Sequence, residues 1–330
     1  MSIDRKITDK VSVFPLGLGC MGLSEFYGQV DYKSSMDTIE QAINRGINFI
    51  DTADMYGRGL SEELVGRVIN KFDREKLIIS TKVGFVRDTE DVMKMRLDGR
   101  PEHIKAACEA SLKRLGIESI DLYFLHRVDP DCPVEESIGA MKDLVQAGKI
   151  RNIGLSDTTF EQIERGCTVH PVAAYQGEYS LWHRMPETDG LIDKCEQEGI
   201  VFMPYCPLGR GFLAGELEDY DQLISEGDVR SDLPRFYREN FARNLALLEQ
   251  LKRFCKRRNL SLAALALSWL LTKNNKIIPI VGMKQPEQVA ENLAAVTNVS
   301  LGMDDMLELD ELMPLNCAFG DAYPSDMEVR

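Results

Sequence analysis

The chain alternates short runs of apolar residues with longer stretches in which apolar positions recur every three or four residues. The short runs fall at 16–20, 47–50, 77–81, 120–126, 150–156, 172–176, 200–205 and 276–282. Each is nearly continuous in apolar or small residues, the mark of a strand covered by helices on both faces, as in a parallel sheet. The amphipathic stretches between them predict helices at about 35–45, 61–71, 101–115, 135–147, 158–166, 188–198, 241–272 (interrupted near Asn259) and 286–296. Pro101 at a first helical position, Gly116 just past a helix end, and Thr158 with Glu161 as a capping box supply start and stop signals. Eight such units predict an α/β fold, a closed (β/α)8 TIM barrel forming one domain over 1–330, with a doubly wound open sheet as its competitor. Two insertions, 84–100 after the third strand and 207–238 after the seventh, follow strand C-terminal ends, the side on which barrels build their sites.

Composition narrows the partners. The 330 residues are 44% hydrophobic and 28% charged, enough to bury a large core. A formal charge of -14 argues against nucleic acid or an acidic membrane as the main partner. The cysteines at 20, 108, 132, 167, 195, 206, 255 and 317 show no zinc-like or disulfide-framework spacing and read as small core residues in a reducing compartment. The polar start "MSIDRKITDK" is no signal peptide, and no apolar run approaches the roughly 18 residues of a membrane span, so a cytoplasmic protein is expected.

One motif invites a different fold. "GLGCMG" (17–22) matches the G-x-G-x-x-G of a dinucleotide-binding Rossmann unit, whose physics needs a helix to begin at the glycines and face the pyrophosphate. The next residues, "LSEFYGQVDYK", are loop-like, which speaks against that reading.

The strand ends carry the chemistry. Asp51 ends the second strand, Lys82 the third and His126 the fourth, while Tyr56 lies in the loop after the second. Singly, each has a structural explanation; on a barrel, the four converge on one mouth. A phenol with a reference pKa of about 10 exchanges protons poorly at neutral pH. An ammonium beside it favours the phenolate, and a carboxylate compensates that ammonium. Tyr56 then serves as general acid toward a carbonyl oxygen, and His126 orients and stabilises the same oxygen. The set holds no reductant, so hydride must come from a cofactor.

With these residues in place, the chain resembles the aldo-keto reductase family. The resemblance rests on "GINFIDTADMYG" (46–57), "STKVG" (80–84), "SLKRLGIESIDLYFLH" (111–126), "GKIRNIGLSD" (148–157), "YQGEYS" (175–180), "PYCPLGRGFLAG" (204–215) and "IVGMKQPEQVAEN" (280–292), in family order over nearly the whole chain. It implies a Tyr56 proton donor partnered by Asp51, Lys82 and His126, with NADP(H), or alternatively NAD(H), extended along the barrel mouth. By the same similarity, Ser156, Asp157 and Gln176 would take the nicotinamide carboxamide and Tyr205 would stack on its ring. Pro207, Leu208, Gly209, Arg210 and Gly211 would take the pyrophosphate. Gly282 would also bind the cofactor, and Lys284, Gln288, Glu291 and Asn292 would hold the adenosine end, where Gln288 stands in place of a frequent Arg, leaving Lys284, Arg210 and Arg235 as candidate phosphate cations. Asp157 replaces a frequent Asn, and Cys206 a frequent Ser.

"RLDGRPEHIKAACEASLKRLG", "LHRVDP", "EYSLWHR" and "LPRFYRENFARNLALLE" further resemble a bacterial and plant branch with auxin-induced-like and pyridoxal-reducing members, implying a small aldehyde substrate. Tyr27, Phe85, Trp182 and Tyr323 are expected pocket walls. Two other functions fit parts of the pattern: a Schiff-base lyase with Lys82 as nucleophile, and a cofactor-holding regulatory subunit with little turnover.

Overall fold

A computed structural model describes residues 4–88, 94–224 and 227–324. Eight parallel strands form its sheet: β1 (Gly17–Gly19), β2 (Phe49–Asp51), β3 (Ile78–Val83), β4 (Leu122–Leu125), β5 (Ile153–Ser156), β6 (Val172–Glu178), β7 (Val201–Tyr205) and β8 (Ile280–Gly282). They pair in chain order from β1 to β7, and β8 pairs with β1. A parallel bridge between Phe202 and Ile277 brings β7 to the start of β8 and closes the ring. The fold is therefore a (β/α)8 barrel, and the open-sheet competitor is set aside. The motif "GLGCMG" lies in β1 and the 3-10 turn Met21–Leu23, with the first helix delayed until Tyr32, so it forms no Rossmann unit.

The strands are short and buried on both faces. Inside the barrel, Phe49, Leu122, Phe124, Ala174, Val201, Met203, Ile278 and Ile280 make one apolar cluster. Aromatic rings fit there because glycine stands beside them: a Cβ on Gly17 would come within 2.5 Å of the Phe49 ring, and one on Gly154 would overlap the Phe124 ring. Between strands and helices runs the larger core, which includes nearly all of Ala263–Leu270 from the helix Leu262–Lys273.

Two hairpins and one helix escape the periodicity argument. Arg5–Thr8 pairs antiparallel with Val11–Val13, and its Ile7 and Val13 join the barrel-interior cluster. The Arg5 guanidinium donates to the carbonyls of Leu271 (2.7 Å) and Asn274 (2.8 Å), and Phe14 N–H to the Asn48 side chain (2.8 Å), so the hairpin stoppers the end opposite the strand C-termini. In the 84–100 insertion, Phe85–Arg87 pairs with Met95–Leu97; 89–93 lie outside the described residues. The helix Met303–Leu312 follows the last barrel helix, Pro286–Thr297.

Helix ends shift by small amounts for local reasons. The first helix begins at Tyr32 because the Asp31 side chain caps the Lys33 N–H (2.9 Å). The capping box after β5 belongs to Thr159 and Gln162, one residue later than the Thr158/Glu161 pair expected, and its two reciprocal bonds measure 2.9 and 3.2 Å. The interruption near Asn259 is present: that residue, at φ 53°, ends Arg238–Arg258 before Leu262–Lys273 starts.

In the 207–238 insertion the described residues, which leave out 225–226, form the 3-10 turns Gly209–Ala214, Tyr220–Leu223, Val229–Asp232 and Pro234–Phe236 and reach over the mouth. Val229 N–H donates to Phe26 O (2.9 Å), Gly28 N–H to Gly227 O (3.2 Å), and Tyr27 bridges Asp228, joining the loop after β1 to the loop after β7. A roofed cavity results.

Candidate active site

The cavity beneath this roof has a volume of about 690 Å³ and runs from Asp51, Tyr56, Lys82 and His126 to Gln288, Glu291 and Asn292. At the first end, Asp51 and Lys82 face each other from adjacent strands, with Lys82 Nζ 2.5 Å from Asp51 Oδ2 and 2.8 Å from Thr52 O. Both are almost fully buried, at 4% and 2% exposure, so neither charge is stable there without the other. The second oxygen, Asp51 Oδ1, accepts from Ser80 Oγ (2.6 Å) and Gln176 Nε2 (2.8 Å). Ser80, two residues before Lys82 on the same strand face, is a member the sequence argument missed. Gln176, expected at a cofactor carboxamide, also fixes the carboxylate from across the barrel.

Tyr56 reaches this pair from the loop after β2. Lys82 Nζ lies 5.1 Å from its ring centroid, and the His126 ring meets it edge-on at 5.9 Å between centroids. The loop is pinned by two residues without sequence signal: Gly57 N–H donates to Glu25 Oε1 (2.6 Å), and Arg87, paired with Glu25 at 2.5 Å, donates to Met55 O (3.1 Å). Around Tyr56 lie Ala53 and Met55, with Met21, Phe26, Phe85 and Met95 packed against them as an apolar collar. Asp54 takes no part in the pair; its backbone N–H donates to Lys82 O (3.2 Å), holding the turn.

Electrostatics corrects one expectation. The Tyr56 phenol is pushed well above its ordinary value, first by burial and then by the negative charge of Asp51, with Arg127 opposing. Burial and the Asp51 charge keep the Tyr56 phenol protonated although the Lys82 ammonium stands beside it. His126 is held well below the ordinary imidazole value by burial, then by Lys82 and Arg127, and is a neutral ring. Its buried Nδ1 has no hydrogen-bond partner among the described residues.

Along the cavity wall stand Ser156, Gln176, Tyr205, Pro207, Leu208, Arg210, Gly211, Gly282, Lys284, Gln288, Glu291 and Asn292. Three expected positions are absent from the lining. Asp157 sits behind it, accepting from Tyr205 Oη (2.7 Å) and paired with Arg127. Gly209, at φ 55°, turns the chain against the Trp182 ring. Arg235 is drawn away by His183 Nδ1 (3.0 Å), Gly320 O (3.2 Å) and the Trp182 face (5.3 Å). Of the expected aromatic walls, Tyr27 and Tyr323 line the cavity, whereas Phe85 backs the His126 ring and Trp182 stacks on Phe212.

The cations of the wall are held in place. Arg210 is bidentate to buried Glu178 (3.0 and 2.9 Å), and Lys284 Nζ donates to Tyr27 O (2.5 Å). Arg230, which the sequence gave no reason to single out, pairs with Asp228 and donates to Arg210 O (3.1 Å). Burial pushes Glu178 up, but Arg210, His183 and Arg235 outweigh it and leave its carboxyl at about 2. Non-glycine residues with left-handed backbone gather at the strand ends here: Asp157 (φ 41°), Cys206 (φ 48°) and Arg210 (φ 57°). Such geometry persists where surrounding bonds impose it, as at functional sites. Cys206 lines the cavity, and burial raises its thiol to about 11, so it is not a thiolate.

A parallel barrel with a buried acid–ammonium pair, a protonated phenol and a neutral imidazole at one end of a long cavity carries the groups for proton transfer at its mouth. The Aldo/keto reductase family model matches residues 15–314, and the chain belongs to that family, whose members use a nicotinamide cofactor. It is 36% identical over 325 residues to "Probable aldo-keto reductase 1" of Glycine max, covering 97% of this chain and 91% of the relative. It is 37% identical over 328 residues to "Aldo-keto reductase yakc [NADP(+)]" of Schizosaccharomyces pombe, covering 98% and 95%. Among solved structures, the glycerol dehydrogenase AKR11B4 from Gluconobacter oxydans superposes with a TM-score of 0.85 at 32% identity, over 94% of this chain and 95% of that one. The aldo-keto reductase AKR11C1 from Bacillus halodurans, in its holo form, gives 0.76 at 28%, over 98% and 99%. No helix among the described residues is long and apolar enough to cross a membrane.

Proposed function

We propose that this protein, acting as one domain, is an NAD(P)H-dependent carbonyl reductase that converts small apolar aldehydes to alcohols with Tyr56 as proton donor. The observation that carries the proposal is the Asp51–Lys82 pair lying against a phenol kept protonated by burial. The cavity fits a nicotinamide dinucleotide: it is long, one end holds the orphaned His126 Nδ1, and its wall carries Arg210, Arg230 and Lys284 for an anion. Gly282 has open space where a Cβ would stand, which lets a ligand approach its backbone. Ser156 and Gln176 would meet the carboxamide, Tyr205 the ring face, the turn 207–211 the pyrophosphate, and Lys284, Gln288, Glu291 and Asn292 the adenosine end. Asp157, Gly209 and Arg235 would act from behind the wall.

When bound, the dinucleotide supplies the hydride that the side chains lack. The rest is the work of this chain. Tyr56 gives its proton to the carbonyl oxygen as charge builds there, and Lys82 compensates the phenolate left behind. Asp51, held by Ser80 and Gln176, keeps Lys82 in register, and neutral His126 donates an N–H to the same oxygen. Lys82 engaged by two acceptors is poorly disposed to act as a Schiff-base nucleophile.

Substrate class and cofactor preference follow from the two ends. The collar of Met21, Phe26, Met55 and Met95 favours an apolar aldehyde over glycerol, the substrate named for the Gluconobacter oxydans relative. NADP(H) is favoured through Lys284 and the cofactor named for the yeast relative, with the margin over NAD(H) narrowed by Glu216, which accepts from Gln288 Nε2 at 2.8 Å. The test is NADPH oxidation with an aldehyde panel, wild type against Tyr56→Phe. Cofactor binding without turnover would instead favour a regulatory role.

A further inference from the structure

The C-terminal segment is built into the site. The Asn244 amide, fully buried, donates to Phe319 O (3.0 Å) and accepts from Phe319 N–H (2.9 Å). Arg235 Nε donates to Gly320 O (3.2 Å), and the Arg243 guanidinium covers the Phe319 ring at 3.6 Å. At Gly320, φ is 85°, and a Cβ would come within 2.6 Å of Asn240 and 2.7 Å of Pro234 O, so the chain turns there against its dock. Three residues on, Tyr323 enters the cavity wall.

Its hydroxyl completes a directional chain. Arg210 has only donors, so the 2.6 Å contact makes the Tyr323 oxygen an acceptor. Asp157, paired with Arg127, is an acceptor, so the 2.7 Å contact spends the Tyr205 proton. The remaining contact, 3.0 Å between the two phenols, then has one solution: Tyr323 donates to Tyr205. Two ion pairs, the buried Glu178–Arg210 at the ends of β6 and β7 and the half-buried Asp157–Arg127 after β5 and β4, are thereby joined through a tail residue.

We propose that Tyr323 is a positioning residue that fixes the Tyr205 ring for cofactor stacking by closing the hydrogen-bond chain from Arg210 to Asp157. This rests on the placement of the nicotinamide against Tyr205 proposed above. The tail thus sets dinucleotide affinity rather than the proton-transfer step, because it touches Tyr205 and Arg210 and neither Tyr56 nor Lys82.

Tyr323→Phe removes one oxygen and keeps the ring over Arg210. Titrating NADPH by quenching of protein fluorescence, the variant is expected to bind about three- to tenfold more weakly, the worth of one buried hydrogen bond. In turnover assays the effect falls on the KM for NADPH more than on kcat. A double cycle with Tyr205→Phe separates positioning from mere structural support: the two losses should not add, since each removes the same bond. Equal affinity of wild type and Tyr323→Phe, or fully additive losses, would overturn the proposal. Because binding is read directly, a wild type that binds NADPH without turnover would sink the reductase reading and still score this one; a wild type that binds no dinucleotide overturns both.

Discussion

Gln176 Nε2 lies 2.8 Å from Oδ1 of Asp51, tying β6 to β2 through the barrel interior. The carboxylate that balances Lys82 is therefore oriented from both sides, by Ser80 on the neighbouring strand and by Gln176 on a distant one. Gln176→Met should loosen Asp51 without removing any charge. The expected result is a fall in kcat/KM of roughly 10-fold with a stability loss of about 1–2 kcal/mol, read by steady-state kinetics and urea unfolding.

Removing the charge is another matter. Asp51→Asn leaves the Lys82 ammonium buried with no counter-charge, a situation that costs about 3–5 kcal/mol. The variant should unfold at lower urea, and its turnover should fall by more than that of Gln176→Met. Equal stability of Asp51→Asn and wild type would mean that the pair is not held as described.

Of this site, the convergence of Asp51, Tyr56, Lys82 and His126 on one cavity was legible in the sequence, because strand-end residues of a barrel must converge and Asp51, Lys82 and His126 each close an apolar run. What was not legible was everything that depends on loops meeting across the mouth. Glu25 and Arg87 pin Tyr56 from two loops far apart in sequence, and nothing in their spacing marks them. Arg235 looked like a phosphate cation by charge alone, yet His183 and Gly320 draw it elsewhere. The hairpin at 85–97 and the helix at 303–312 were hidden for a similar reason: the first is too short for periodicity, and the second leaves Met303 and Leu307 exposed, blurring its apolar face. The direction of the Tyr56 shift needed burial, which no motif encodes.

That shift gives a pH prediction. On the proposed mechanism reduction needs the phenol protonated, and burial with the Asp51 charge holds its pKa well above the ordinary 10, so the acid form persists through the neutral and mildly basic range. His126, held well below 6.5, stays neutral over the same range. The kcat/KM for aldehyde reduction should therefore be level from about pH 7 to 9. Alcohol oxidation needs the phenolate and should rise with pH throughout. A fall of the reductive rate centred near pH 8 would contradict the assignment of a buried, protonated Tyr56.

Glu178 supplies a second pH test. Its carboxyl titrates at about 2 in the folded protein against an ordinary 4.5, so the unfolded chain binds more protons between those values. Its stabilisation is complete above about pH 4.5 and is lost as pH falls toward 2. Glu178→Gln strands Arg210 and should cost about 3 kcal/mol at pH 7, with the gap from wild type narrowing below pH 4.5. Unfolding curves at pH 7, 5 and 3.5 check the trend.

The proposed adenosine end predicts how the two cofactors separate. Lys284→Ala should raise the KM for NADPH about tenfold and that for NADH about twofold, since a 2'-phosphate is the only added charge. Glu216→Gln should act in the opposite sense and tighten NADPH. Equal effects of either substitution on both cofactors would move the phosphate contact away from this end.

The most direct measurement follows absorbance at 340 nm for NADPH mixed with the protein and a small apolar aldehyde, in wild type and Tyr56→Phe. The account predicts steady oxidation in wild type and a loss of at least about 1,000-fold in kcat for Tyr56→Phe, with NADPH binding by fluorescence quenching within about twofold of wild type. Turnover retained in Tyr56→Phe would contradict Tyr56 as the proton donor, and with it the role given to the Asp51–Lys82 pair.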